Sequence, residues 1–232
     1  MSALVILQAR MGSHRLPGKV LAPLAGVPLV EYCVARLTAA AVGPVALATT
    51  TRPEDRVLLE LAARLGVAGV AGPVDDVLAR FAAVAQQYPQ AEYVVRATGD
   101  NPFVDIEAPG RVLKALEAGA DYAVEEALPL GSAVEGVRRD VLLQAQRDAA
   151  TPYDREHVTP WVQRADAVVR VAPTAPEPVR APDLRLTVDT PDDLVLAQRV
   201  AALLAAKGGD PRLAPLRDVI AAARRLPARE VA

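Results

Sequence analysis

Short apolar runs alternate with helical patterns along this chain of 232 residues, and that alternation restricts the architectures open to it. The runs cover residues 3–8, 44–48, 67–71, 93–97, 121–124, 167–171 and 184–187. The helical patterns cover 28–40, 53–65, 74–87, 107–117, 139–148, 154–164, 191–206 and 216–225. Several ends are marked. Pro53 suits a first helical turn, and Gly66 and Gly119 stand where a helix end favours a left-handed residue. Asp189, Thr190 and Pro191 read as a strand end, a cap and a first turn. The proline-rich stretch 172–182 has no period and reads as a loop. Strand–helix alternation of this kind predicts an α/β fold with three layers (α/β/α) and a mostly parallel, doubly wound sheet. The length and a hydrophobic content of 52% suit one large domain over 1–232 rather than two small ones.

In such sheets ligands gather at the carboxyl ends of the strands, and the unusual polar residues here all follow strands. The first strand runs into a loop carrying Arg10, Gly12, Ser13, His14, Arg15, Gly18 and Lys19. A glycine can turn backbone N–H groups toward an anion, and fixed cations add charge, so the loop reads as a phosphate cradle. It is neither a Walker loop nor a dinucleotide turn. Asp100, after Arg96-Ala97-Thr98-Gly99, is presented at a strand tip, with Gly99 making room for a close ligand. Asp189 stands at the end of the run 184–187. Two strand-end carboxylates beside a phosphate cradle are natural ligands for Mg²⁺, and the set is a minimal kit for phosphoryl or nucleotidyl transfer.

The segment 151–160 is dense in polar groups. Arg155, Glu156 and His157 are adjacent, so on a helix they point in different directions and cannot all serve one atom. Trp161 is expected on the core, and His14 in solvent. Asp75 or Asp76 caps a helix, and Arg80 can pair with Asp76 one turn on. A net charge of −2 gives no general attraction to nucleic acid. The single cysteine, Cys33, excludes an internal disulfide and reads as a core residue. Neither a signal peptide nor a membrane span is expected, which points to the cytoplasm.

These stretches together resemble the spore-coat polysaccharide biosynthesis protein F family. Its members are cytidylyltransferase-like proteins related to the 3-deoxy-manno-octulosonate and acylneuraminate cytidylyltransferases. The resemblance rests on residues 8–19, 76–81, 96–100, 155–160 and 186–194. It implies a nucleotide-diphospho-sugar transferase (GT-A-like) Rossmann-type fold, CTP as substrate and a small sugar or sugar-acid acceptor. By similarity, Ala9, Arg10, Gly12, Ser13, Arg15 and Lys19 hold the nucleotide, joined by Asp76 and Arg80. Lys19, Arg10, Arg15 and Asp100 are the implied catalytic residues. Asp100 and Asp189 hold Mg²⁺, and Glu135, Arg155, Glu156 and His157 face the acceptor. Asn101 stands where relatives carry cysteine or glutamate. Relatives are commonly dimers, so a homodimer is implied. The same residues suit two other activities: glycosyl transfer from a nucleotide sugar, and nucleotide binding without catalysis.

Overall fold

Along the first strand, β1 (Ala3–Gln8), the side chains divide between two cores: Ala3, Val5 and Leu7 join one buried cluster, Leu4 and Ile6 the other. A strand buried on both faces needs a layer of helices on each side. In the computed structural model, which describes residues 3–226, both layers are present. One layer comprises α1 (Leu29–Ala39), α2 (Arg56–Arg64), α4 (Ala108–Glu117), α8 (Pro191–Ala205) and α9 (Leu216–Arg224). The opposite layer comprises α3 (Val77–Gln87), α5 (Arg139–Asp148) and α7 (Pro160–Arg164), with α6 (Pro152–His157) against α3.

The remaining strands are β2 (Pro23–Leu24), β3 (Val27–Pro28), β4 (Val45–Thr50), β5 (Ala68–Gly72), β6 (Tyr93–Thr98), β7 (Tyr122–Val124), β8 (Glu135–Arg138) and β9 (Arg170–Val171). The main sheet has the order β5-β4-β1-β6-β8-β7-β9, while β2 and β3 form a separate ribbon. Every pairing in the main sheet is parallel except the two made by β8. The sheet is thus mostly parallel, as expected.

Several expectations need correction. β8 is absent from the sequence reading, because Glu135-Gly136-Val137-Arg138 has neither a long apolar run nor strong β-formers throughout. Its Gly136 suits close packing: a Cβ there would come to 3.0 Å from the end of the Leu116 side chain. The run 184–187 is not a ladder strand. It touches the 128–134 loop through one isolated bridge, Leu130 with Arg185, and runs beside Asp100, whose carbonyl accepts from Val188 N. The helix expected over 154–164 is split into α6 and α7 at Val158. Among the described residues no helix is long and apolar enough to cross a membrane.

Candidate active site

The chain leaves β1 with β4 on one side and β6 on the other, at the point where the strand order reverses. Gln8 lies level with Ala48 and Thr98, so β1 and β6 end together there while β4 runs two residues further. Reversal opens a crevice at the carboxyl ends, and the loop after β1 lies in it. Its path is fixed from outside. The buried Asp55 carboxylate accepts from Met11 N at 2.6 Å and from the Thr50 hydroxyl. The left-handed turn that returns the loop is at Gly18, with φ +72°, and Gly18 N donates to Met11 O at 3.0 Å. Gly12 has no positive φ, and a Cβ there would meet only ordinary contact. The conformational freedom that the sequence placed at Gly12 therefore belongs to Gly18. Gly99 lines the cavity described below, and a Cβ there would also sit 2.8 Å from that of Ala9, so this glycine makes room for the neighbouring strand end as well.

Directly after Gly18, Lys19 enters a 3-10 turn and is almost fully buried. Its ammonium donates to Asp100 Oδ2 at 3.1 Å, Asp189 Oδ1 at 3.0 Å and the Val188 carbonyl at 2.7 Å. Asp100 follows the end of β6, and Asp189 precedes α8. A reciprocal cap between Thr190 and Asp193 fixes the start of α8. Asp189 also receives Arg15 at 3.1 Å and Arg185 at 2.6 Å. Burial alone would raise the Asp189 carboxyl pKa. Lys19, Arg15 and Arg185 outweigh it and hold the pKa below the usual carboxylate value.

A cavity of about 280 Å³ opens beside this cluster. Its wall carries five cations, Arg10, Arg15, Lys19, Arg80 and Arg96, against three carboxylates, Asp100, Glu156 and Asp189. Arg80 is not the surface partner of Asp76 that helical spacing allows. It is 2% exposed and donates to the carbonyls of Pro73 and Val74. Burial, and next the nearby Arg10 charge, lower its pKa. Gln8 Oε1 and Arg80 Nε, on two lining residues, are buried without partners among the described residues. A wall with excess positive charge and unpaired polar atoms suits an anionic, hydrogen-bonding ligand.

Opposite the loop, Glu156 and His157 line the same cavity from the end of α6. The helix stops there because Val158 takes φ 72° and ψ −54°, closing a three-residue turn in which Thr159 N donates to His157 O at 2.9 Å. This conformation is strained for a β-branched residue. Burial of Val158 in the core offsets the strain, and Pro160 then begins α7 in a new direction. The Tyr153 ring packs on His157 with centroids 4.5 Å apart.

The implied site residues are therefore distributed unevenly. Ala9, Arg10, Gly12, Ser13, Arg15, Lys19, Arg80, Asp100, Glu156, His157 and Asp189 line one cavity. Asp76 stands outside that wall, where its carboxylate caps α3 through Ala79 N at 2.8 Å. Arg155 also stands outside it, donating to Gln146 at 2.8 Å and meeting Asp76 at 3.4 Å. Glu135 lines a neighbouring cavity with Arg96 and Thr98. Three contributors were missed: Asp55, which reads as an ordinary first-turn acid; Arg185, which orients Asp189; and Arg96, which points from mid-strand. Spacing signals none of them.

The family described as cytidylyltransferase matches residues 4–209. The chain belongs to the cytidylyltransferase family. A relative, the spore coat polysaccharide biosynthesis protein SpsF of Bacillus subtilis, is 37% identical over 198 residues, 82% of each chain. The 3-deoxy-manno-octulosonate cytidylyltransferase of Anaeromyxobacter dehalogenans is 32% identical over 241 residues, covering 87% of this chain and 97% of that one. Among solved structures, a cytidylyltransferase from Leptospira borgpetersenii superposes with a TM-score of 0.82 at 22% identity, over 97% of this chain and 94% of that one. A CMP:2-keto-3-deoxy-manno-octonic acid synthetase complexed with CTP gives 0.64 at 20% identity, over 89% and 100%. The structural likenesses establish the cytidylyltransferase fold, and the sequence relatives establish a nucleotidyltransferase.

Proposed function

We propose that this cytidylyltransferase joins CTP to a hydroxyl of a sugar-like acceptor and releases pyrophosphate, in the cytoplasmic assembly of a cell-surface polysaccharide. The acceptor oxygen forms a bond to the α-phosphorus as the bond to the β-phosphate oxygen breaks. Pyrophosphate leaves with the electron pair, and the acceptor hydroxyl gives up its proton. The observation that carries the reading is the convergence of Asp100 and Asp189 on one buried ammonium, Lys19, at the wall of a cation-rich cavity.

In this reading Arg10, Arg15 and Lys19 hold the triphosphate, and their fixed charges oppose the negative charge that builds on its oxygens. Ser13 and the loop backbone, held by Asp55, supply hydrogen bonds. A second cavity, of about 470 Å³, continues from the loop past Arg52, Val74 and Asp75, and it receives the nucleoside. Asp100 and Asp189 fit a magnesium ion: they present hard carboxylate oxygens within 3.1 Å of the same cationic atom. When bound, the ion would neutralise phosphate charge and polarise the reacting phosphoryl group. Lys19, Arg15 and Arg185 together keep Asp189 ionised, and Arg185 orients it. Glu156 and His157 face the reacting end from α6.

Pyrophosphate release from CTP, measured against a panel of sugars and sugar acids, tests the reaction. Transfer of sugar from a nucleotide sugar without pyrophosphate release would replace it with glycosyl transfer.

A further inference from the structure

A cavity of about 290 Å³ adjoins the nucleotide cleft, and its charge is closed internally. Arg96 and Thr98 line both spaces, and being two residues apart on β6 they share one face of the sheet. The further polar lining is Asn101, Tyr122, Glu135 and Gln163. Arg96 and Glu135 are the charged residues of this wall, and they are directly opposite each other in the β6–β8 register. The Arg96 guanidinium donates to one Glu135 oxygen, with both side chains largely buried. The Tyr122 hydroxyl donates to the other at 2.8 Å, and Gln163 Nε2 donates to that hydroxyl at 2.9 Å. Sheet register and this relay give each Glu135 oxygen one donor and leave the Arg96 charge balanced.

That closure selects the chemistry of a ligand. A carboxylate entering the cavity would lose its water, find the Arg96 charge already balanced by Glu135, and lie beside that second carboxylate. An ammonium would meet the opposite conflict at Arg96. Hydroxyl groups carry no such penalty, since each both donates and accepts. Two polar atoms of the wall residues, the donor Arg96 Nε and the acceptor Asn101 Oδ1, are buried without partners among the described residues. A hydroxyl-rich ligand matches one of each kind. The volume is at the lower end of small-molecule sites, about 300 Å³, and suits one sugar-sized group. At Gly131, with φ +93°, a Cβ would fall 2.5 Å from Thr187 N, two residues before Asp189, so the wall there admits only glycine.

We propose that this cavity holds the acceptor through uncharged hydroxyl groups, so that the acceptor presents a neutral polyol face and a carboxylate is disfavoured there. The inference rests on the nucleotidyl-transfer reading, and it separates this chain from the sugar acid named for the octulosonate relative. The test is isothermal titration of the whole protein saturated with α,β-methylene CTP and Mg²⁺. The probes are 3-deoxy-manno-octulosonate and its uncharged primary amide. The amide is expected to bind the natural protein at least tenfold more tightly than the acid. Glu135→Gln, which leaves Arg96 without its counter-charge, is expected to raise affinity for the acid at least tenfold. Should that variant fail to fold, the comparison on the natural protein stands alone. Acid binding equal to or tighter than amide binding overturns the proposal, as does a folded Glu135→Gln variant with unchanged affinity for the acid. Binding of neither probe while the nucleotide binds also overturns it. Failure of the nucleotide itself to bind removes the nucleotidyl-transfer reading and this inference with it.

Discussion

Lys19 and Asp189 are 170 residues apart in the chain and 3.0 Å apart in the fold. Asp100 completes the cluster from a third segment. Lys19→Ala removes a fixed positive charge from the phosphate end of the cleft. Pyrophosphate release is expected to fall roughly 10²–10³-fold, the size of loss found when one preorganised electrostatic contact is deleted. Asp100→Asn is expected to fall similarly. Both variants should keep a cooperative thermal transition, since neither side chain belongs to the two buried apolar clusters. Full activity in both would remove the assigned site.

Nucleotide preference is open to a thermal-shift scan with the four nucleoside triphosphates, each with and without Mg²⁺. CTP with Mg²⁺ is expected to stabilise most. A ligand at a hundred times its dissociation constant contributes about 2.7 kcal/mol, well within the resolution of such a scan. Equal shifts from all four would argue against a cytosine-selective seat.

Asp55 ties the phosphate loop to β4 through Met11 N and the Thr50 hydroxyl. Asp55→Ala leaves a backbone donor and a hydroxyl without their shared acceptor. Stability should drop by about 1–3 kcal/mol, the cost of unsatisfied buried polar groups, as read by chemical denaturation. Because the loop loses its anchor, KM for CTP should rise as well. A stable variant with unchanged KM would mean that the loop holds its shape without this tie.

Acid sensitivity should have an identifiable source in Asp154. Arg164 holds its carboxyl at about 2, below the ordinary 3.8, with Thr151 adding a hydrogen bond. A carboxyl whose folded pKa is depressed stabilises the protein above its unfolded pKa and loses that contribution as pH falls toward the folded value. Stability should therefore decline between about pH 5 and pH 2 in the natural protein. Arg164→Gln should flatten that decline while lowering stability at neutral pH. Arg164 is half exposed, so screening keeps the effect small, and added salt should shrink it further. Parallel acid profiles for the two proteins would exclude the pair as the source.

Where local rules governed, the sequence was readable. β1 and β4 announce themselves because a strand covered on both faces needs an unbroken apolar run. The start of α8 is legible because Thr190 and Asp193 satisfy one another within a single turn. The loop after β1 could be recognised from its cations alone. Legibility fails where distant parts meet. β8 is a strand because β6 and β7 flank it. Val158 breaks a helix that its neighbours favour, because core burial outweighs the turn's strain. Arg80 has the spacing of a surface ion pair, yet it is drawn inward to the carbonyls that open α3.

The order of apolar runs and helix signals thus determined an α/β sheet with layers on both faces, and the loop after β1 determined that cations would gather at its carboxyl end. Those properties depend on neighbours within a few residues, which any sequence displays. Tertiary structure decided that Lys19 would stand between Asp100 and Asp189, that Arg96 would pair with Glu135, and that Asp76 and Arg155 would stand outside the cavity wall. Each of those outcomes depends on which strands pair and in what register, and pairing is set by the energy of the whole core rather than by any single stretch of chain.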